Sequence, residues 1–224
     1  MSQGPVGSLD GVVVADFTRV LAGPYATMLL GDLGAHVVKV ERAGVGDDTR
    51  SWAPPRDAEG RATYFESVNR NKRSLSLDLR DPADRERAQA LALAADVVVE
   101  NFVPGTMERF GLGFEQLRAS NPRLVYASIT GFGTAPAGRE LPGYDLLVQA
   151  SGGLMSVTGA TPGQPTKVGV AVVDVITGLH LTIGVLAALR HRDRTGEGQR
   201  VDVALLSSLL SALVNQSASY VNGG

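Results

Sequence analysis

The sequence predicts an α/β fold built on an open, mostly parallel sheet with helices on both faces. Two observations carry this expectation. Apolar runs of strand length alternate with helical patterns along the chain. Those runs are continuously apolar rather than alternating, as strands covered on both sides require.

The first unit is Val12-Val13-Val14-Ala15 as a strand, residues 25–33 as a helix and Val37-Val38-Lys39-Val40 as the next strand, a βαβ opening. The rhythm repeats with a strand over residues 74–79, a helix over 81–95 that starts Asp-Pro, and Asp96-Val97-Val98-Val99-Glu100 as a strand. Helical patterns at 108–110 and 114–119 lead to a strand over 124–129. Gly, Pro and Ala dominate residues 131–143 and again 159–165, which read as loops around a helix near 144–150. A long helical pattern from Thr177 closes with Arg190, His191 and Arg192, cations suited to a helix C-terminus. Residues 199–203 read as the last strand and 204–221 as one final helix.

With 224 residues and 44% hydrophobic residues, the chain can bury one sizeable core, and it is read as a single domain spanning 1–224. The net charge of −2 gives no basic field for nucleic acid. The absence of cysteine excludes disulfides, thiolate nucleophiles and Cys-rich metal sites, and suits a reducing cytoplasm, the localisation expected here. His36, His180 and His191 share no ligand spacing, so no metal is expected. Residues 1–5 have neither a basic nor an apolar signal segment, and the apolar stretches 181–189 and 203–214 are too short or too Ser-interrupted to span a bilayer. No membrane partner is expected. The end at Tyr220-Val221-Asn222-Gly223-Gly224 carries no closing cap, and nothing marks it as a natural terminus.

Asp174 interrupts the apolar run from Val168 to Val175, just before the long helical pattern. It either caps the free N–H groups of that helix, or uses the helix dipole to stay ionised as a nucleophile. The two roles are compatible. The first strand-to-helix turn, Asp16 to Pro24, lacks the Gly-X-Gly-X-X-Gly of a dinucleotide site, which disfavours an NAD-dependent oxidoreductase. Gly44-Val45-Gly46-Asp47-Asp48 places acids where a phosphate would sit and reads as a plain loop. Arg42, Lys72, Arg73, Arg80 and Arg109 lie near predicted strand ends, where an anionic ligand would suit them, although such cations are commonly just solvated.

Seven motifs, in order, are Leu21-Ala22-Gly23-Pro24, Val40-Glu41-Arg42, Asn69-Arg70-Asn71-Lys72-Arg73-Ser74, Val99 to Gly105, Gly131-Phe132-Gly133, Gly143-Tyr144-Asp145-Leu146 and Val173-Asp174 with Thr177-Gly178. Together, from about Leu9 onward, they resemble the class III coenzyme A transferases, the family of formyl-CoA transferase, carnitine CoA-transferase and alpha-methylacyl-CoA racemase. The resemblance implies a Rossmann-like, CoA-binding large domain and assigns Asp174 as the nucleophile. It places Val20, Leu21, Ala22, Arg42, Leu77, Arg80, Asn101, Phe102, Arg109 and Tyr144 at the coenzyme A site. Pro142 stands where some transferases have a CoA-contacting Lys. The racemases carry His where Tyr144 stands, and a phenol near pKa 10 is poorly matched to base work at neutral pH.

The implied activity is transfer of coenzyme A from an acyl-CoA to a carboxylic acid through an aspartyl-CoA thioester, with the thioester as substrate and no separate cofactor. The end of the chain looks most like the branch handling dicarboxylic acids. A racemase and a non-catalytic CoA-binding fragment are the alternatives. Family members are longer, carry a small second domain and a C-terminal return segment that this sequence lacks, and form interlocked homodimers.

Overall fold

The computed structural model describes residues 7–161 and 163–223, so the expectations for residues 1–5, Pro162 and Gly224 lie outside the described residues. Six parallel strands form one sheet: β1 (Val13–Asp16), β2 (His36–Arg42), β3 (Lys72–Leu77), β4 (Val97–Glu100), β5 (Val125–Thr130) and β6 (Arg200–Ala204). Their order is β3-β2-β1-β4-β5-β6. The expected Rossmann-like open sheet is therefore present, with all of its pairings parallel.

Between the strands lie α1 (Ala22–Asp32), a 3-10 turn (Asp48–Ser51), α2 (Thr63–Asn69), α3 (Pro82–Ala94), α4 (Thr106–Arg109) and α5 (Phe114–Arg118). They are followed by α6 (Asp145–Ser151), α7 (Leu154–Val157), α8 (Val172–Thr195), α9 (Leu205–Ala212) and α10 (Val214–Gly223). The core has two halves, one on each face of the sheet. On one face Val14, Val97 and Val125 meet Leu30 of α1, Leu181 and Val185 of α8 and Leu209 of α9. On the other, Ala15, Val98 and Tyr126 meet Ala88 and Ala92 of α3, Met107 of α4 and Phe114 of α5. Residues such as Leu181 and Val185, with no exposed surface, each stabilise the fold by about 1.5–3 kcal/mol.

Helix ends follow local chemistry. Asp81 caps α3, its carboxylate accepting the N–H groups of Ala83 (2.9 Å) and Asp84 (3.1 Å), with Pro82 at the first helical position. α8 ends on Gly196 in the left-handed conformation, after Arg192 and Arg194 in its last turn.

Three sequence expectations change. The long helix begins at Val172 rather than Thr177, which puts Asp174 inside its first turn. α8 has 24 residues, and an 18-residue window of it has a mean hydropathy of 2.0, long and apolar enough to cross a membrane, so length does not argue against a span. It packs against α1, α9, β5 and β6 as a core helix. The single helix expected over 204–221 breaks between α9 and α10, where Val214 takes a positive φ of 39°, outside the right-handed helical region. The 3-10 turn, α2 and α7 had no counterpart in the sequence reading.

α8 approaches α1 closely because Gly178 has no side chain. A Cβ there would lie 2.7 Å from the Ala22 carbonyl oxygen and 2.9 Å from the Tyr25 ring. This contact fixes the start of α1, which carries the Leu21-Ala22 end of the first loop, against the helix that carries Asp174.

Candidate active site

In this strand order the chain leaves β1 toward β2 on one side and runs from β4 toward β5 on the other. A crevice therefore opens beyond the carboxyl ends of β1 and β4, the place where open α/β sheets take ligands. A cavity of about 330 Å³ occupies it. Its wall is Arg19, Val20, Leu21 and Ala22 after β1, Asn101, Phe102, Val103 and Pro104 after β4, and Ile129 to Gly131 at the end of β5. Tyr144 and Asp174 complete it, with the 138–143 loop as its outer rim. That loop reaches β5 through a glycine pair: a Cβ on Gly131 would lie 2.5 Å from the Gly143 Cα, so no larger residue fits.

The loop after β1 is braced from below by buried charge. Asp16, fully buried, accepts the Thr18 N–H (2.9 Å), the Thr18 and Thr27 hydroxyls (2.5 and 2.6 Å) and the Lys72 ammonium (3.1 Å). Burial pushes its carboxyl up, but Lys72, Lys39 and the two hydroxyls outweigh this and hold it at about 2. Lys39 donates to the Thr18 carbonyl (2.7 Å) and pairs with Asp47 at 2.9 Å. Asp47 in turn accepts the Val20 N–H at 3.4 Å. Above the loop, Asn101 accepts the Arg19 N–H (2.9 Å) and donates to the Arg19 carbonyl (2.8 Å). Held from both sides, Val20 takes a φ of 71°, a conformation a β-branched residue adopts only when its surroundings impose it. The Arg19 guanidinium lies 4.9 Å from the Phe102 ring centre and 3.6 Å from Asp48.

Asp174 is the third residue of α8 and faces the cavity, and among the described residues its carboxylate accepts no hydrogen bond. The capping expectation is therefore corrected: the Asp145 carboxylate caps this helix, accepting the N–H groups of Val173 (2.7 Å) and Asp174 (3.1 Å). The expectation of an ionised carboxylate is corrected too. Burial first, and the Asp145 charge second, push the Asp174 carboxyl up to about 7. Tyr64 of α2 shares this environment: burial and the carboxylates of Asp174, Asp145 and Asp47 push its phenol up to about 12.

Of the predicted site residues, Val20, Leu21, Ala22, Asn101, Phe102, Tyr144 and Asp174 share the cavity wall. Arg42, Leu77, Arg80 and Arg109 do not line it; Arg42 and Leu77 are the last residues of β2 and β3, and Arg80 and Arg109 follow β3 and β4. Arg42 is exposed at the end of β2, 3.4 Å from Asp48, which does line the cavity. Leu77 is buried at the end of β3. Arg80 is exposed and pairs with Asp78 at 2.9 Å, and Arg109 donates to the Thr106 hydroxyl at 3.0 Å. Lys72 leaves the set of candidate ligand cations, because its ammonium is buried against Asp16, the Pro24 carbonyl and Asn69.

The sequence reading missed Arg19, Arg139 and Tyr64. Arg19 follows β1 by the same strand-end rule that selected Arg42, so its signal was present; Tyr64 lies in a helix with no such signal. Gly44 to Asp47 is a loop as read, with Asp47 buried against Lys39, and Asp48 opens the 3-10 turn. Among the described residues no cluster of three His, Cys, Asp or Glu side chains is placed to hold a metal ion.

Comparison with known proteins adds the following. A family model described as CoA-transferase family III matches residues 9–224. A succinyl-CoA:mesaconate CoA-transferase of Haloarcula hispanica is 53% identical over 213 residues, covering 92% of this chain and 54% of the relative. A succinyl-CoA:glutarate CoA-transferase of Mus musculus is 47% identical over 215 residues, covering 96% of this chain and 49% of the relative. The chain thus spans about half the length of the curated relatives it matches. The crystal structure of a CAIB/BAIF family protein from Brucella suis superposes with a TM-score of 0.93 at 45% identity, covering 98% of this chain and 59% of that one.

Proposed function

Because this chain belongs to CoA-transferase family III, we propose that it is the coenzyme A-handling part of an acyl-CoA:carboxylate CoA-transferase with Asp174 as its nucleophile. The observation that carries this reading is the bare Asp174 carboxylate on the wall of the switch-point cavity, without a hydrogen bond among the described residues while its own helix is capped by another residue. A desolvated carboxylate is a stronger nucleophile than a hydrated one, and Asp174 is partly buried on the cavity wall.

In the proposed reaction an Asp174 carboxylate oxygen attacks the donor thioester carbonyl. The C–S bond breaks and coenzyme A leaves as thiolate, giving a mixed anhydride. The thiolate attacks the aspartyl carbonyl and expels the donor carboxylate, leaving an aspartyl-CoA thioester. The acceptor carboxylate attacks that thioester and expels the thiolate, forming a second anhydride. Finally the thiolate attacks the acceptor's acyl carbonyl and releases Asp174 as carboxylate. No net proton or electron is exchanged, so the chemistry calls for no cofactor beyond the thioester itself. Each intermediate hydrolyses readily, which gives the apolar residues Val20, Leu21, Phe102 and Ile129 on the cavity wall a role in excluding water.

The relatives named above act between succinyl-CoA and a second diacid, and this reading extends a dicarboxylic acceptor to the present chain. Arg42, Arg80 and Arg109 are assigned to the coenzyme A phosphates. A homodimer acting in the cytoplasm completes the proposal. A racemase finds less support, because Tyr144 rather than an imidazole stands in the cavity with Asp174.

Asp174→Asn tests the reading. It should abolish transfer, and abolish the mass increase of one CoA less water seen after incubation with succinyl-CoA, while leaving CoA binding nearly intact. An Asn variant that turned over at the wild-type rate, with deamidation excluded by mass, would return Asp174 to a structural role.

A further inference from the structure

We propose that Asp145 is a positioning residue for Asp174: it fixes the first turn of α8 and sets the pH range in which the nucleophile reacts. The inference rests on the reading of Asp174 as nucleophile. α8 has no cap of its own, because the residue preceding its first turn is Ala171, whose methyl group accepts nothing. The cap comes instead from α6, about 30 residues upstream, through one oxygen of Asp145 that accepts both the Val173 and Asp174 N–H groups.

The other oxygen accepts the side-chain amide of Gln149, one turn further along α6. Gln149 is buried, its Oε1 accepts the Val168 N–H at 2.9 Å, and its amide reaches the Val170 carbonyl at 3.4 Å. Two side chains of a single turn therefore hold both the approach to α8 and its second and third N–H groups. Since Asp145 takes those N–H groups, the Asp174 carboxylate is left free to attack.

Charge follows from the same geometry. The charge acting directly on Asp174 is that of Asp145 from α6, and the Tyr64 phenol of α2 feels both carboxylates as well as Asp47. Arg19, Asp48, Arg139, Glu140 and Tyr144 line the same cavity. Of these side chains, among the described residues, only that of Asp145 is hydrogen-bonded to the Asp174 backbone. A fixed like charge there makes the Asp174 anion harder to form, and more reactive once formed.

The test follows formation of the aspartyl-CoA adduct by intact mass, with succinyl-CoA as the probe, from about pH 5.5 to about pH 8.5. The wild-type rate should rise with a midpoint near 7. Asp145→Asn keeps an oxygen to cap the helix but removes the charge. Its midpoint should fall by about one pH unit, with a plateau within about threefold of wild type. Asp145→Ala removes the cap as well, and its plateau should fall by about tenfold or more. An Asn variant that titrates at the wild-type midpoint, or an Ala variant that reaches the wild-type plateau, overturns the proposal. Should the Ala variant not fold, the Asn midpoint alone decides. Wild-type protein that binds succinyl-CoA but forms no adduct on Asp174 defeats the nucleophile reading, and this inference with it. An adduct on Asp174 that ignores both Asp145 substitutions defeats this inference alone.

Discussion

The Asn101 side chain grips the backbone of Arg19 in both directions, its amide donating to the carbonyl at 2.8 Å and its oxygen accepting the N–H at 2.9 Å. A side chain here does what a strand would do, tying the loop after β1 to the loop after β4 across the switch point. The strain at Val20, the next residue, is held in place by this clamp and by Asp47. Asn101→Ala should weaken equilibrium binding of coenzyme A by about tenfold and lower stability by about 1–2 kcal/mol, since two backbone groups lose their partner. Val20→Gly separates the two effects. It should leave stability unchanged or raised, because glycine adopts positive φ freely, while binding still falls. Calorimetric binding together with thermal unfolding distinguishes them.

The phosphate assignment makes an electrostatic prediction. Arg42 is exposed and loosely paired with Asp48, so it can be recruited by a ligand at little cost. Arg42→Ala should weaken coenzyme A binding by about tenfold and flatten its dependence on salt, whereas dephospho forms of the ligand should lose less. Affinity that is indifferent to ionic strength in both proteins would remove the three arginines from the binding site.

Gly178 links packing to the site. Gly178→Ala places a methyl 2.7 Å from the Ala22 carbonyl and must push α8 away from α1, at a cost of about 1–3 kcal/mol. Because Asp174 lies one turn before Gly178 on the same helix, the adduct rate should fall along with the melting temperature. A variant that loses stability but keeps the full rate would show that α8 moves as a unit without disturbing its first turn.

The parallel sheet was legible in the sequence because buried parallel strands leave continuous apolar runs, such as Val97-Val98-Val99, and because Asp81-Pro82 announces a helix start on its own; the strand order that makes the switch point was not. Asp174 was legible for a similar reason, as a lone acid in an apolar run. What was not legible is which polar residues meet across the fold. Lys72 resembles a ligand cation in sequence, and only the parallel register of β2 with β3 buries it against Asp16, 56 residues away. Asp145 reads as a surface acid until the loop from Gly131 to Gly143 folds back and sets it on the N-terminus of α8. Short helices such as α2 and α7 lack enough turns for a 3.6-residue period to show.

That buried ion pair gives a stability prediction with a definite sign. Asp16 has a folded value of about 2 against 3.8 when unfolded, so it contributes stability above pH 3.8 that is lost as the pH falls toward 2. Lys72→Met leaves the Asp16 charge buried with one partner fewer, and should cost about 3–5 kcal/mol at neutral pH. In urea titrations the variant's deficit should shrink in acid, where Asp16 takes up a proton. A deficit that stays constant down to pH 3 would mean that lost packing of the Lys72 stem, rather than charge, sets the cost.

Glu100 provides the opposite sign. It ends β4 just before Asn101 and Phe102, with its carboxylate accepting the Phe102 N–H at 2.8 Å and the Ser128 hydroxyl. Burial pushes its carboxyl up to about 7 despite those two bonds. A folded value above the unfolded 4.5 means that the native state prefers the protonated form, so stability is fully present below pH 4.5 and declines as the pH rises to about 7. The decline attributable to this group is about 3 kcal/mol. Glu100→Gln keeps an acceptor for Phe102 and a donor for Ser128 without the charge, and should be more stable than wild type at pH 8 and nearly equal to it at pH 5. Because Phe102 stacks under Arg19 on the cavity wall, the Gln variant should also hold the coenzyme A site unchanged at alkaline pH. Chemical denaturation at the two pH values decides: a Gln variant less stable than wild type at pH 8 would mean that the Glu100 anion is a net stabiliser of the β4 turn and that its hydrogen bonds outweigh its burial.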